Sequence, residues 1–461
     1  MANPSKISTL NLLSQQLLRS EQEVIAFRHK QPLTVADLKT KVFEICHALK
    51  HDNNQLWALS MHDSFNFVAG LLALFYSGKQ PLLLNPSHQE MHQYYTALLT
   101  DNELNSSQFI DKKIININQL PLANFCNEKQ QLTYDFKQQT LTLFTSGSTG
   151  LPKPIEKSVY QLQHEIEILN KDWGKSTSDL VIASVSHEHM YGLTFKIMLS
   201  LCCKIPFVCE PVLYQEHLAT FKHKRIIYIT TPSIIKTLDN HLPVINCDKV
   251  ISSAGKLSYQ ESQFCFENLG VLPNEIYGSS ETGIIATRQQ TQPDTPWTLF
   301  SSMRIEYDQR WQQAILYTPL LDQPEVLNDK IKIVSNKYFH LSGRKDKIIK
   351  ISENRVSLTH IENKINQLNE VEQVIIIPLE QNNRTILGAV IQLTPSYKKL
   401  LQTYNHLKLT QYFRLLLKDT LSLIEMPKRW RFVEFLPKNS QGKSSYIELK
   451  ALFNALKKNN E

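Results

Sequence analysis

The chain has 461 residues, 42% hydrophobic and 20% charged, which is an ordinary globular composition and too long for one core. Its seven cysteines, an odd number without a CxxC pair, argue against a disulfide framework and a zinc site. The amino-terminal MANPSKISTLNLLSQQ lacks the apolar core of a signal peptide, and the most apolar run, residues 65–76, is too short to span a bilayer. We expect a cytoplasmic protein of at least two domains, without stable membrane insertion.

The formal charge of +7 is unevenly distributed along the chain. From Lys345 to the end, 19 Lys and Arg outnumber 11 Asp and Glu, giving +8, whereas the preceding 344 residues carry −1. A solvated basic face and a surface for a polyanionic partner both agree with this excess.

The first 340 residues alternate strand-like and helix-like runs. The run FNFVAGLLALFY (65–76) is typical of a buried helix, and LTLFTS (141–146) predicts a strand. After that strand, apolar residues keep the spacing of one helix face at Val159, Leu162, Ile166 and Leu169. Further strands are predicted within the runs VIASVS (181–186), RIIYITTP (225–232), KVISSAG (249–255) and EIYGSS (275–280). This alternation favours an α/β fold with parallel sheets.

A smaller unit is predicted after the polar, basic sequence LSGRKDK. It contains IIKI, a helix that holds Ile361, Ile365 and Leu368, and the strands VIIIPL and GAVIQL. We therefore expect domains at residues 1–343 and 344–461, the second a compact α+β module.

The sequence TSGSTGLPK (145–153) has the composition of a phosphate-binding loop. It is not a Walker loop, because Lys153 lies three residues beyond the second glycine, and it does not match the G-x-S-x-G elbow of hydrolases. Its backbone N–H groups and hydroxyls could surround β and γ phosphates, and its glycines allow the phosphates to approach closely.

Four motifs occur in one order along the chain: TSGSTGLPKPI (145–155), IYGSSETG (276–283), GRKDKIIKISENRVSL (343–358) and PKNSQGKSSY (437–446). Together they resemble the adenylate-forming, AMP-binding superfamily, which includes acyl-CoA synthetases, peptide-synthetase adenylation domains and luciferases. The resemblance implies a large amino-terminal α/β domain with parallel-rich sheets and a small mobile α+β lid domain. It also implies that ATP activates a carboxylate to an acyl-adenylate with release of pyrophosphate, before the acyl group passes to a thiol.

By this resemblance, most of the nucleotide site lies in the first two motifs. The residues expected to hold the β and γ phosphates are Thr145, Ser146, Gly147, Ser148, Thr149, Gly150 and Lys153. Tyr277 matches the aromatic residue that stacks on adenine, and Gly278, Ser279 and Ser280 line the nucleotide and acyl pockets. Thr282 matches the hydroxyl donor to the α-phosphate, and Glu281 the carboxylate that binds Mg²⁺, a cation that prefers oxygen ligands.

The resemblance assigns four further residues around the domain boundary and the final motif. Asp329 matches the carboxylate that binds the ribose hydroxyls, although Leu327-Asn328 replaces the usual Thr-Gly before it, and Arg344 is a second nucleotide contact. Asp346 matches the hinge of the lid domain. Lys443 resembles the lysine that bridges the carboxylate and the α-phosphate.

The acid substrate is expected beside SVSHEHMYGL (184–193). His189 matches the residue next to the reacting carboxylate, and the acyl pocket is assigned to Tyr191, Gly192 and Gly255. Amino-acid-activating members place an aspartate in this region to pair with the α-ammonium, but none occurs from Ser184 to Leu201, which favours an acid without an α-amine. This segment also resembles ligases of bacterial aryl polyene clusters.

The predicted enzyme is therefore an acid–thiol ligase that activates a fatty or aryl acid and transfers it to coenzyme A or a phosphopantetheinyl acyl carrier protein. The basic carboxyl-terminal region favours the carrier protein, and we expect no nucleic-acid partner. The alternatives are a stand-alone amino-acid adenylation enzyme and an inactive nucleotide-binding scaffold. The altered Thr-Gly-Asp sequence, and Glu353 where the family has glycine, support the scaffold.

Overall fold

A computed structural model describes residues 10–84, 89–103, 109, 111–121, 136–146, 152–308, 313–344, 348–351, 354–381, 384–418, 420–437, 444 and 446–454. The chain divides into two compact units. The first comprises the described residues of Met1–Gly147, Pro152–Arg304 and Tyr317–Glu325, and the second those of Ile305–Leu316 and Val326–Glu461. The domain boundary at residues 343 and 344 stays a prediction.

The strands of the first unit are β1 (Val24–Arg28), β2 (Gln31–Thr34), β3 (Leu56–Ser60), β4 (Gln80–Leu83), β5 (Ala97–Thr100), β6 (Lys113–Asn116), β7 (Thr140–Ser146), β8 (Pro152–Ser158), β9 (Leu180–Ala183), β10 (Phe207–Val208), β11 (Ile226–Thr230), β12 (Lys249–Ser252), β13 (Asn274–Ser279), β14 (Gly283–Arg288) and β15 (Trp297–Leu299). Its helices are α1 (Val35–Leu49), α2 (Ser64–Tyr76), α3 (Val159–Trp173), α4 (Met190–Gly192), α5 (Leu199–Cys203), α6 (Gln215–Ala219), α7 (Pro232–Ile235) and α8 (Tyr259–Leu269). A π-helical segment, Leu193–Met198, joins α4 to α5.

These strands form two mixed sheets in the first unit. One pairs in the order β15-β14-β13-β12-β11-β9-β10-β1-β2 and is parallel from β13 to β1, with antiparallel strands at both ends. The other pairs in the order β6-β5-β3-β4-β7-β8 and is parallel except for β8. The predicted α/β class with parallel-rich sheets is therefore confirmed.

Local sequence explains the helices that cover these sheets. The apolar run at 65–76 lies in α2, whose residues are all buried, and the Asp63 carboxylate caps the helix by accepting from the amides of Phe65 and Asn66. In α3 the predicted apolar face is buried, and Ser158 forms a capping box with Gln161 at the helix start. In the described part of the chain, no helix is both long and apolar enough to cross a membrane.

The remaining strands are β16 (Arg304–Asp308), β17 (Gln313–Tyr317), β18 (Glu325–Leu327), β19 (Asp329–Ile333), β20 (Tyr338–Arg344), β21 (Ile348–Ile351), β22 (Asn354–Ser357), β23 (Val371–Gln381), β24 (Arg384–Leu393) and β25 (Arg429–Val433). The remaining helices are α9 (Leu358–Ile365), α10 (Leu400–Thr403), α11 (His406–Leu417) and α12 (Tyr446–Asn454). Strands β19 and β20 form one antiparallel hairpin and β21 and β22 another, while β23, β24 and β25 form a sheet.

The core of the second unit lies between its helices and the sheet β23-β24-β25. Ile361 and Ile365 of α9 and Phe413 of α11 are fully buried there with the strand residues. Leu368, predicted on the first of these helices, lies beyond its end at Ile365 and packs against the core from the following turn. The predicted α+β organisation of this region is confirmed.

Candidate active site

The predicted acid-binding segment, residues 184–193, lies at the carboxyl ends of the parallel strands, where ligands of open α/β sheets usually bind. It follows β9 directly, and its Tyr191 side chain crosses the ends of two neighbouring strands. The Tyr191 hydroxyl lies 2.9 Å from the carbonyl oxygen of Thr230, at the end of β11, and 2.8 Å from that of Ile251 in β12. These contacts tie the predicted acyl pocket to the rigid sheet.

The two glycines assigned to the acyl pocket differ in their surroundings. A Cβ atom on Gly192 would lie 2.0 Å from the carbonyl oxygen of Ser186, so the turn before α4 packs against the bare glycine backbone. A Cβ atom on Gly255 would lie 3.4 Å from Pro232, close to ordinary van der Waals distance. The close packing at Gly192 fixes the start of α4, and therefore His189, which precedes the helix.

The two histidines of this segment have different environments. His187 is buried, with Nδ1 2.8 Å from the Ser64 hydroxyl and Nε2 3.0 Å from the carbonyl oxygen of Met61. Burial lowers the pKa of His187 to about 3, so the ring is neutral, donates through Nε2 and accepts through Nδ1. His187 is therefore structural, whereas His189 is partly exposed at the amino end of α4.

Glu188, between these histidines, faces the end of β3. Its carboxyl group accepts a hydrogen bond from the Ser60 hydroxyl at 3.2 Å, and burial raises its pKa to about 7. Without a cation beside it, this carboxyl group is therefore partly protonated near neutral pH.

The turn between β13 and β14 carries the second motif. Two hydrogen bonds close this turn. The Thr282 amide donates to the Ser279 hydroxyl, and the Ser279 amide donates to the Thr282 hydroxyl, both at 3.1 Å. Gly278 packs against Gly283, whose carbonyl oxygen would lie 2.3 Å from a Cβ on Gly278. Tyr277 is partly exposed, with its ring centroid 5.8 Å from that of Trp297.

The hairpin of β7 and β8 brings the ends of the predicted phosphate loop together. Thr145 and Lys153 are register partners, and the Lys153 ammonium lies 3.8 Å from the Glu281 carboxylate. Both side chains are partly open to solvent, at 63% and 38% exposure. A carboxylate beside a lysine fits bound Mg²⁺ and phosphate, because Mg²⁺ in nucleotide sites takes one or two protein carboxylates and phosphate oxygens.

Two buried charged residues beside this turn were not predicted from the sequence. The Lys157 ammonium donates to the Glu281 carbonyl oxygen at 2.5 Å, and the Glu165 carboxylate accepts from the Ile284 amide at 2.7 Å. Their positions contain a signal that could have identified them. Lys157 shares a strand face with buried Ile155, and Glu165 lies on the apolar face of α3.

The ribose assignment falls in the second unit. Asp329 begins β19 and Arg344 ends β20, and the two are register partners in that hairpin. The strand pairing therefore brings together two residues that the sequence places fifteen positions apart. Asp329 is partly buried.

Several predicted site residues lie outside the described residues, so their assignments stay predictions. They are Gly147, Ser148, Thr149, Gly150, Asp346 and Lys443. For Ser146 and Arg344 the backbone is described but the side chain is not.

The first unit is an α/β fold with parallel-rich sheets, and it carries the Lys153–Glu281 pair beside the β7–β8 hairpin. The family model of AMP-binding enzymes matches residues 14–304, and the chain belongs to this family. The predicted superfamily is therefore confirmed, and with it the use of ATP.

Named relatives are ligases of acids with thiol carriers. D-alanine–D-alanyl carrier protein ligase of Staphylococcus epidermidis is 22% identical over 94% of this chain and 97% of its own. Mitochondrial malonate–CoA ligase of Xenopus laevis is 24% identical over 36% of this chain, and the match spans 32% of that relative. The structure of o-succinylbenzoate coenzyme A synthetase from Bacillus subtilis with AMP has a TM-score of 0.76 at 15% identity, covering 96% of this chain and 98% of that one. The predicted class of AMP-forming acid–thiol ligase agrees with all three.

Proposed function

We propose that the chain activates a carboxylic acid lacking an α-amine and transfers it to a pantetheine thiol. A carboxylate oxygen attacks the α-phosphorus of ATP, the bond to the β-phosphate breaks, and pyrophosphate leaves. The thiol then loses its proton and attacks the acyl carbon, and AMP leaves with its electron pair. The observation that carries the proposal is the 3.8 Å approach of Lys153 to Glu281 beside the closed turn that holds Thr282.

The arrangement of charge suits the first step, in which an anion attacks a polyanion. Lys153 offers a cation to the β and γ phosphates, and the β13–β14 turn that carries Glu281 is closed by its own hydrogen bonds before the reaction, which avoids reorganisation. Bound through Glu281, Mg²⁺ would neutralise phosphate charge. Tyr277 would stack on adenine, and His189 would orient the attacking carboxylate.

The acid-binding segment favours an acid without an ammonium group. The only carboxyl group between Ser184 and Leu201 belongs to Glu188, which is bonded to Ser60. Leaving a buried ammonium without an ionised partner is costly. The Staphylococcus epidermidis relative is named for an amino acid, so D-alanine is the critical comparison.

For the acceptor, we favour a carrier protein over free coenzyme A. Exposed cations of α11 and its surroundings suit the acidic surface of such a protein, including Lys399, Lys408, Arg414, Lys418 and Lys428. Arg431, another cation of this basic region, donates instead to the carbonyl oxygens of Leu452 and Trp430, at 2.7 and 2.6 Å. Arg431 therefore supports α12 and does not contribute to the proposed docking surface.

Carboxylate-dependent exchange of pyrophosphate into ATP tests this proposal. The panel would contain fatty acids, aryl acids, D-alanine and L-amino acids. We expect exchange with a fatty or aryl acid and none with amino acids. Exchange with amino acids alone would establish the amino-acid adenylation alternative, and nucleotide binding without exchange for any acid would support the scaffold.

A further inference from the structure

A buried lysine and glutamate lie where three segments of the proposed active site meet. Lys157 and Glu165 are 3% and 2% exposed, respectively. They line one small cavity of about 10 Å³ together with Met190 and Gly283. Neither side chain reaches solvent, so both are fixed parts of the first unit.

Each group bonds to a segment that carries a predicted site residue. The Lys157 ammonium donates to the carbonyl oxygen of Glu281, and Lys157 lies four residues after Lys153 on β8. The Glu165 carboxylate accepts from the Ile284 amide at 2.7 Å and from the Thr194 hydroxyl at 2.8 Å. Thr194 lies in the π-helical segment that continues from α4.

Lys157 and Glu165 are both buried and influence each other's charge through space. Burial raises the pKa of Glu165 and lowers that of Lys157, while the opposite charge of each partner counteracts the shift. Burying an ammonium or a carboxylate is costly unless its hydrogen bonds are made, so the bonds to Glu281, Ile284 and Thr194 hold both groups in place. The segments bonded to the pair would therefore move if one charge were removed.

We propose that Glu165 and Lys157 are positioning residues for adenylation, which align the acid-binding segment after His189 with Glu281, the proposed magnesium ligand, and Thr282, the proposed phosphate ligand. The inference rests on the proposed function. Glu165 bonds to both sides of the reaction, since Thr194 follows the acid-binding turn and Ile284 follows the nucleotide-binding turn. Lys157 connects the β7–β8 hairpin, which bears Lys153, to the same turn through its hydrogen bond to the Glu281 carbonyl oxygen.

The test compares Lys157→Met and Glu165→Leu with the conservative Glu165→Gln, which keeps an acceptor for Ile284. Glu44 is the matched control, because it is 4% exposed and paired with Lys41 at 2.7 Å in α1 of the same unit.

The kcat of adenylation per folded protein, the KM values for acid and ATP, and the Tm are measured for each variant. We expect kcat to fall about 10- to 100-fold in Lys157→Met and Glu165→Leu, since small misplacements of reacting groups are costly. Glu165→Gln should retain more of the activity, and Glu44→Leu should lower Tm alone.

Amide hydrogen exchange gives a readout that does not depend on turnover. The amides of Thr282 and Ile284 should exchange faster in Lys157→Met and Glu165→Leu, and at the wild-type rate in Glu44→Leu. If wild-type protein adenylates no acid, the proposed function fails, while the exchange rates still decide the role of the pair. Wild-type kcat and unchanged exchange in both variants would overturn the inference.

Discussion

The lysine predicted to bridge the carboxylate and the α-phosphate, Lys443, lies in the last motif, PKNSQGKSSY. Lys443→Ala should slow adenylate formation by about 10²–10³, because a donor that acts in the transition state is lost. Thioester formation from a supplied acyl-adenylate should persist, since the lysine is predicted to bridge the carboxylate and the α-phosphate only during adenylation. Lys438→Ala, in the same motif, is the matched control and should retain both half-reactions. Normal adenylation by Lys443→Ala would refute the assignment.

Mutation of Asp329 tests its assignment as the ribose-binding carboxylate, which was made although Leu327-Asn328 replaces the usual Thr-Gly before it. Its register pairing with Arg344 agrees with a shared role at the ribose. Asp329→Ala should raise the Kd for ATP about ten- to hundred-fold, because a charged acceptor is worth about 1.5–3 kcal/mol per hydrogen bond. Calorimetric titration would measure this, with Asp322→Ala, an exposed acid nearby in sequence, as the control. An unchanged Kd for ATP would mean that another residue binds the ribose.

At the scale of elements, the packing of α4 depends on Gly192, where there is no room for a Cβ atom. Gly192→Ala should lower the free energy of unfolding by about 1–3 kcal/mol, the usual cost of overpacking, because its Cβ meets the Ser186 carbonyl group. It should also raise the KM for the acid, since His189 precedes this helix. Denaturant titration and steady-state kinetics measure the two effects.

Gly255→Ala is the matched control for Gly192→Ala. Its Cβ meets only the Pro232 side chain, at 3.4 Å, so stability should change little. Equal stability of the two variants would show that the close packing of α4 on the preceding turn is not important.

Elements with a regular apolar pattern could be predicted from the sequence, whereas contacts between them could not. The periodicity around Leu162 and Ile166 predicted α3, and the run at 141–146 predicted β7, because burial repeats locally along each element. The bond from Ile284 to Glu165 spans 119 positions, so the place of Glu165 on the apolar face of α3 could indicate burial but not its partner. The family motifs supplied the predicted site residues, which periodicity alone does not indicate.

At the scale of the whole molecule, the excess of positive charge predicts a protein acceptor. Replacing Lys408, Arg414 and Lys418 with alanine should raise the KM for a holo carrier protein on the order of 10-fold, because each substitution removes one exposed ion pair and such pairs each contribute little. The KM for coenzyme A should change less. Added salt should weaken transfer to the carrier protein in the wild type, because exposed charges are screened beyond about 8 Å at physiological ionic strength.

The control for this triple variant removes three exposed lysines from the first unit, Lys222, Lys224 and Lys256. It has the same net charge as the α11 variant and should transfer normally. Efficient turnover with free coenzyme A, and none with carrier protein in the wild type, would contradict the choice of acceptor.

The formation of an acyl-adenylate is tested most directly with a carboxylate labelled with ¹⁸O in both oxygens. Using an acid that supports pyrophosphate exchange, the products of a single turnover with thiol acceptor are analysed by mass spectrometry. Attack of the carboxylate on the α-phosphorus predicts one ¹⁸O in AMP, together with unlabelled pyrophosphate. Appearance of the label in inorganic phosphate, with ADP as the nucleotide product, would contradict the proposed chemistry.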